Sequence, residues 1–311
     1  MPDRPDAVLL TWDNPLLREA LAGAWLIEGA DGSALDEPAR HAVRVLVTTG
    51  VQKIGPAEMD VLPNLGRIVA IASGSDGIDR AAAEARGIEI RTGSGGNADA
   101  VAESAVGLFL AVARHILSND AYVREGRWRG VGGVAPVRSV GAMKVGIVGM
   151  GFIGRAIAAR LAPFGCDIAW TGPRAKPDVA HRYVPDLLDL ARESDALIVA
   201  APLSVETAGM IGAEVLDALG PEGVLVNVGR GRLLDEDALI AALREGRLAG
   251  AALDVFVQEP TPAERWRDVP NVILSPHAAG ITRESMTGLA RRAAENAVEF
   301  LQRAPPRPAL G

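Results

Sequence analysis

A single cysteine, Cys166, stands in 311 residues, so no disulfide can close within the chain and a zinc site built on several thiolates has no ligands. Other features that would place the protein are missing too. The first residues, Met1-Pro-Asp-Arg-Pro-Asp, have neither the basic nor the apolar region of a signal peptide, and no apolar run approaches a membrane span. A cytoplasmic setting is expected, with no membrane partner. Positive charge is not in excess either: the net charge of −7 leaves no electrostatic footprint for nucleic acid. Heptads and internal repeats are absent, and the Pro-rich tail at Pro305-Pro306 reads as a frayed terminus. His41, His115 and His181 sit in stretches without a convergent acid or a metal-ligand spacing, so no metal site is expected.

What is present is an ordinary globular composition, 49% hydrophobic and 23% charged, at a length sufficient for two domains. Its most informative stretch is Lys144-Val-Gly-Ile-Val-Gly-Met-Gly-Phe-Ile-Gly154. A β-rich apolar run leads into Gly149, Gly151 and Gly154 in the order G-x-G-x-x-G, and Arg155–Leu161 follows with helical spacing. Gly149 allows the tight turn, Gly151 lets a pyrophosphate approach the backbone, and Gly154 lets helix and strand pack closely. The helix start, at Phe152 and Ile153, turns free N–H groups toward the phosphates. The flanking strand and helix are the context that separates a dinucleotide cradle from an ordinary turn.

Before this motif, short apolar runs alternate with helical stretches. Ala7–Leu10, Val43–Thr48, Ile68–Ala72 and Ile88–Arg91 read as strands, Pro15–Ile27 and Asp79–Arg86 as helices, and Asp99–Ile116 as a long apolar helix beyond the break at Gly93–Gly96. From Met143 the rhythm restarts. Strands are expected at Met143–Val148, Asp167–Thr171, Ala196–Ala201, Gly223–Val228, Gly250–Val255 and Val272–Leu274, and one last amphipathic helix carries Met286, Leu289, Ala293, Ala297 and Phe300. The pattern predicts an α/β protein with two parallel, Rossmann-like sheets. The last helix is expected to return to the first domain. The expected boundaries are 1–98 with 283–311 for one domain and 99–282 for an inserted dinucleotide-binding domain.

Three groups near expected strand ends carry chemistry: Asn227-Val-Gly-Arg230, Asp254 through Glu259-Pro, and Ser275-Pro-His277. In a doubly wound sheet such ends border one crevice. Arg230 offers a fork of donors matched to a carboxylate or a polarised carbonyl. His277 is the natural proton carrier near neutral pH, and Glu259 is placed to hold its ring. Taken singly, each also reads as a solvated loop residue; it is their shared placement behind a nucleotide motif that favours a site.

Together, G149-M-G-F-I-G154, N227-V-G-R-G-R232, A252-L-D-V-F256 and S275-P-H-A-A-G280 resemble the D-2-hydroxyacid dehydrogenase family, and within it the glyoxylate and hydroxypyruvate reductases. The resemblance runs from about Ser73 to Glu284. It implies a substrate domain made of the N-terminal part plus the last helix, with the nicotinamide domain inserted between. By the same resemblance His277 is the acid/base, Glu259 its partner and Arg230 the substrate-binding arginine. Ser73, Gly74 and Ser75 match a loop that offers backbone N–H groups to a substrate carboxylate; the same loop also reads as a plain strand-to-helix turn with Asp79 as N-cap. Val101 matches a residue beside the nicotinamide, although a threonine common three residues earlier is Ala98 here. Asp254 matches a residue at the carboxamide end of the cofactor. Pro202 and Val228 lie at strand ends along the expected cofactor path.

The resemblance implies reduction of a small 2-oxoacid to the D-2-hydroxyacid, by hydride from the nicotinamide and a proton from His277. Which nicotinamide is argued from the second strand of the cofactor domain. An NAD enzyme usually carries an acid about twenty residues beyond the glycines. Here Asp167–Thr171 runs into Gly172-Pro-Arg174-Ala-Lys176, whose two cations suit a 2′-phosphate, so NADP(H) is expected over NAD(H). Two alternatives stay open. One is another family member, such as a phosphoglycerate or formate dehydrogenase, against which stand the short C-terminal end and the acid at Glu259. The other is a non-catalytic dinucleotide-sensing protein of the corepressor kind. Tyr122–Arg129, with Trp128 among arginines, reads as a solvated basic face or, by resemblance, as part of a homodimer interface.

Overall fold

The computed structural model describes residues 6–11, 14–29, 32–129, 134 and 136–303; the Pro-rich tail lies outside them. The chain forms two compact units. One comprises the residues up to Asn97 together with those from Ile281 on; the other is Ala98–Gly280.

The first unit is built on five parallel strands, β1 (Ala7–Leu10), β2 (Trp25–Glu28), β3 (Val43–Thr48), β4 (Arg67–Ala70) and β5 (Glu89–Thr92), in the order β2-β1-β3-β4-β5. Its N-terminal helices are α1 (Pro15–Ala20), α2 (Glu37–Ala42), α3 (Pro56–Asp60) and α4 (Arg80–Ala85). β1, β3 and β4 are buried along their whole length, as strands with helices on both faces must be. Asp79 caps α4 through its carboxylate and the Ala82 amide at 2.9 Å.

The helix expected over Pro15–Ile27 is a correction. The helix ends at Ala20, the chain turns through Leu21–Ala24, and Trp25–Glu28 pairs with β1 as a parallel edge strand. Apolar residues at Leu16, Leu17 and Leu21 fit a helix, but Gly23 interrupts it and the β-prone Trp25-Leu-Ile completes the sheet edge. Tertiary pairing overrode local periodicity.

The second unit has seven parallel strands: β6 (Lys144–Val148), β7 (Asp167–Thr171), β8 (Arg182–Tyr183), β9 (Ala196–Val199), β10 (Val224–Asn227), β11 (Gly250–Leu253) and β12 (Val272–Leu274). Their order is β12-β11-β10-β9-β6-β7-β8. The order reverses between β6 and β9, so this is the topological switch point where a doubly wound sheet opens a ligand crevice. The short strand β8 was not foreseen. Its helices are α5 (Ala98–Ala113), α6 (Ile116–Arg124), α7 (Phe152–Leu161), α8 (Leu187–Glu193), α9 (Ala213–Leu219), α10 (Glu236–Arg244) and α11 (Ala263–Trp266). The expected helix Asp99–Ile116 is therefore two pieces. It stops at Ala113, His115 adopts φ 52°, and α6 leaves at a bend of 57°. The reason α5 stays in the core is visible in its residues: Val101, Ala102, Ala105, Val106, Phe109 and Val112 are all buried. Small Ala102 and Ala105 permit close packing, and burying Phe109 contributes about 2–3 kcal/mol. Among the described residues no single helix is long and apolar enough to cross a membrane.

The last helix, α12 (Arg283–Arg303), belongs to the first unit. Leu289, Ala290, Ala293, Ala297 and Phe300 join the core made by β1, β3 and β4. Its far end is anchored by a cation. Arg67 of β4 is fully buried; its guanidinium donates to Glu89 at 2.6 Å, to Glu299 at 3.0 Å and to the Asn296 carbonyl at 2.6 Å, beneath the Phe300 ring. Burial of a charge is costly unless it is paired and hydrogen-bonded, and here the partners come from both ends of the sequence.

Candidate active site

Across the second unit the carboxyl ends of six strands fall in one register. Thr171 pairs with Val148, Val148 with Val199, Val199 with Asn227, Asn227 with Leu253 and Leu253 with Leu274. At about 4.8 Å per strand this row is roughly 24 Å long. Each chain leaves the row directly into a segment singled out by the sequence: Gly172–Lys176 after β7, Gly149–Gly154 after β6, Ala200–Pro202 after β9, Val228–Arg230 after β10, Asp254–Glu259 after β11 and Ser275–His277 after β12. The ladder continues into these segments, with the amides of Gly149, Ala200, Val228, Asp254 and Ser275 each donating to the neighbouring strand at 2.8–3.0 Å.

The glycine turn fits a dinucleotide on the structure's own terms. Gly149 has φ 98°, and a Cβ there would lie 2.7 Å from Ala201 Cα. A Cβ at Gly154 would lie 2.0 Å from the Gly149 carbonyl, so helix and turn touch through bare backbone. Gly151 is different, with nothing within 4 Å of its missing side chain. Two glycines close the turn and the third leaves its outer face open, which is what a diphosphate needs. Phe152 is exposed, Ile153 half-buried, Val228 buried and Pro202 exposed with its carbonyl accepting from the Thr207 hydroxyl at 2.9 Å. Val101 is buried in the core between α5 and the sheet.

Beyond β7 the basic loop is tied to this turn. Lys176 Nζ donates to the Met150 carbonyl at 2.7 Å, while Arg174 is exposed. No acid lies between Thr171 and Lys176. The next one, Asp178, is bonded to Arg155 at 2.8 Å, and that hydrogen bond holds its carboxyl below the usual carboxylate range.

At the other end of the row stands a polar cluster. His277 Nδ1 lies 2.7 Å from Glu259 Oε2, and Glu259 Oε1 accepts the Phe256 amide at 2.9 Å. A carboxylate can only accept, so Nδ1 carries its hydrogen toward Glu259 and Nε2 is left to act on a ligand. The ring is 41% exposed. His277 has φ 52°, one of three non-glycine residues with positive φ among those described. A non-glycine residue held there carries some strain, and no sequence pattern announces it. The loop is held by Asp254, which is fully buried. Its carboxylate accepts from Ser275 Oγ at 2.5 Å, the Ala278 amide at 2.9 Å and the Ala279 amide at 3.0 Å. Asp254 thus supports the histidine loop, a task the sequence did not suggest for it.

Arg230 leaves β10 on a turn closed by buried Asn227, whose amide nitrogen donates to the Arg230 carbonyl at 3.1 Å and whose oxygen accepts from the Gly229 amide at 3.0 Å. The guanidinium is half-buried and donates to the Gly229 carbonyl at 2.7 Å. In the first unit, Ser73 Oγ donates to Asn97 and the Ser75 hydroxyl accepts from Arg80 at 2.6 Å. The turn packs so tightly that a Cβ on Gly50 would lie 2.1 Å from the Gly74 carbonyl. Among the described residues the amides of Ser73, Gly74 and Ser75 have no acceptor, so this turn can receive an anion.

The family model described as D-isomer specific 2-hydroxyacid dehydrogenase, NAD binding domain, matches residues 106–279. The chain belongs to that family. Other members resemble this chain over 83–96% of its length. It is 40% identical over 258 residues to glyoxylate/hydroxypyruvate reductase A of Arabidopsis thaliana, covering 83% of this chain and 82% of the relative. It is 37% identical to 2-ketogluconate reductase of Gluconobacter oxydans, covering 96% of each. An NADPH-dependent glyoxylate/hydroxypyruvate reductase of Sinorhizobium meliloti, solved with NADP and malonate, is 33% identical with a TM-score of 0.84 over 96% of this chain and 94% of the other. As a member of the family the enzyme is a nicotinamide-dependent oxidoreductase whose two α/β units are the expected pair of Rossmann-like folds.

Proposed function

We propose that the enzyme reduces a small 2-oxoacid of the glyoxylate or hydroxypyruvate type to the D-2-hydroxyacid, with NADPH preferred over NADH. The observation that carries this reading is the single row of strand ends, with a phosphate-ready glycine turn near one end and the His277–Glu259 pair at the other. Gly149–Gly154, Pro202 and Val228 border the path on which a dinucleotide would be held, with buried Asp254 supporting the loop at its far end and Val101 behind it in the core. When bound, the reduced nicotinamide supplies the hydride. His277 Nε2 then delivers a proton to the carbonyl oxygen, and Glu259 steadies the ring through Nδ1 and balances the charge of its protonated form. Arg230 stabilises the negative charge that builds on that oxygen and pairs with the substrate carboxylate. The Ser73–Ser75 turn of the first unit is assigned to carboxylate binding on the strength of its open amides.

The NADPH preference rests on three features. No acid follows β7 within reach of a ribose, Arg174 and Lys176 are cations, and Asp178 is already engaged by Arg155. A homodimer is also inferred, seated on α6. No residue of that helix is buried, and Ile116, Leu117, Val123 and nearby Trp128 are each at least half exposed, which is unusual for a helix facing only water. Reductase names among the relatives favour catalysis over the dinucleotide-sensing reading. A spectrophotometric panel of small 2-oxoacids with both reduced cofactors tests the function: oxidation of NADPH by glyoxylate or hydroxypyruvate is expected. Cofactor binding with no turnover on any 2-oxoacid would contradict it.

A further inference from the structure

One buried acid has no part in the reaction as described. Glu236 opens α10, six residues after Arg230, and is 5% exposed. Its neighbour Asp235 performs the capping, accepting from the Ala238 amide at 3.0 Å, so the helix does not need the Glu236 carboxylate for that purpose. The carboxylate instead reaches across to the segment beyond β11. Oε1 accepts the Val257 amide at 2.7 Å, and Oε2 accepts Arg265 Nε at 2.9 Å. Arg265 also bonds Asp237 at 2.8 Å.

The position of Val257 is what matters. The amide immediately before it, that of Phe256, is the one taken by Glu259 Oε1. Two consecutive amides are therefore held by two carboxylates, one structural and one bonded to His277. The same stretch is pressed from the side of Arg230: a Cβ at Gly231 would lie 1.8 Å from the Phe256 carbonyl carbon and 2.4 Å from the Val257 nitrogen. Residues Arg230 to Glu236 thus form a brace against the Phe256–Glu259 turn. On the far side the turn closes on α11, where Phe256 packs edge-on against Trp266 at 5.8 Å between ring centres and the Trp266 indole N–H donates to Thr261 at 2.9 Å.

We propose that Glu236 is a positioning residue for proton transfer: by holding the Val257 amide from a buried carboxylate it fixes the turn from which Glu259 reaches His277. This rests on the assignment of His277 and Glu259 to proton transfer. A carboxylate half-exposed on a loop would otherwise sample many rotamers, and a catalytic pair must be held to within about 0.5 Å of its working geometry. Glu236 supplies that constraint without touching substrate or cofactor. It also explains why an acid is buried here with an arginine on its outer oxygen: Arg265 balances the charge, leaving the inner oxygen to the turn.

The test separates positioning from plain stabilisation. Glu236→Ala should lower kcat roughly 10–100-fold, the scale expected from a misplacement of about 1 Å, with little change in the dissociation constant of NADPH read by protein fluorescence. Glu236→Gln keeps an acceptor for Val257 and should retain most of the rate. In a Glu259→Ala background, Glu236→Ala should add less than about twofold, because a residue acting through another falls silent once the other is gone. The downfield proton NMR signal of His277 Nδ1–H should be present in the wild type and in Glu236→Gln and lost in Glu236→Ala. An unchanged signal in Glu236→Ala, or an undiminished further loss of rate on top of Glu259→Ala, would overturn the proposal. If Glu236→Ala does not fold, Glu236→Asp keeps the charge for Arg265 but falls one methylene short of Val257; a folded variant with signal and kcat unchanged overturns it equally. A normal rate in Glu259→Ala alone would instead strike the assignment of the pair, and the NMR signal would still decide the role of Glu236.

Discussion

The two units use the same kind of parallel sheet for different ends. In the second unit the sequence is continuous, the core closes on itself and the six aligned strand ends put Arg230, Glu259 and His277 beyond one rim. In the first unit the strands also end in order, but the sheet is completed by a helix from more than 200 residues away, pinned through the buried Arg67 to Glu299 and the Asn296 carbonyl. One sheet is arranged to present side chains, and the other depends on a distant segment to stay whole. Damage to the rim should therefore appear in turnover, and damage to the anchor in stability.

The largest effect is expected on the rim. His277→Asn should lower kcat by about 10²–10⁴-fold, the usual worth of a positioned acid or base, with melting temperature and cofactor affinity unchanged; calorimetry alongside steady-state kinetics checks both halves. Arg230→Lys should keep the charge and lose the fork, raising KM or lowering kcat/KM by roughly 10–100-fold, as expected for a lost charged hydrogen bond in a bound complex. Arg174→Ala should narrow the preference for NADPH over NADH by about tenfold, seen as a ratio of kcat/KM values, with kcat at saturation hardly altered. The anchor should behave in the opposite way. Glu89→Ala leaves the Arg67 guanidinium with fewer partners and should cost about 2 kcal/mol of stability while kcat stays near normal.

Acid should act on the anchor as well. The hydrogen bond from Arg67, with further help from its charge and from Arg303, holds Glu89 below the ordinary carboxylate range; Glu299 is held down in the same way by Arg67. Groups whose folded pKa is depressed stabilise the fold fully above the ordinary value of 4.5 and lose that contribution as the pH falls through the lowered one. Stability of the first unit should decline below that pH, and less steeply in Glu89→Ala.

The parallel α/β architecture was legible because buried strands are apolar throughout and the glycine turn has a fixed order. Arg230, Glu259 and His277 could be singled out because each follows within six residues of the end of an apolar strand. What was hidden depended on contacts distant in sequence. Trp25–Glu28 looks helical until β1 offers it a partner, and His115 gives no sign that it will take φ 52° and split a helix. The three hydrogen bonds of Asp254 to Ser275, Ala278 and Ala279 are visible only once two strands lie side by side. Glu236 gives no sign in the sequence, because an acid at the first turn of a helix has a sufficient local explanation; only its burial reveals the task across the turn.

The most direct test of the rim as a single working edge is a crystal structure of the enzyme with NADP and a non-reactive 2-oxoacid analogue. The account predicts the 2′-phosphate beside Arg174, the diphosphate over Gly151, and His277 Nε2 within hydrogen-bonding distance of the analogue's carbonyl or equivalent oxygen. A dinucleotide seated away from the glycine turn, or an analogue whose oxygen faces neither His277 nor Arg230, would contradict it.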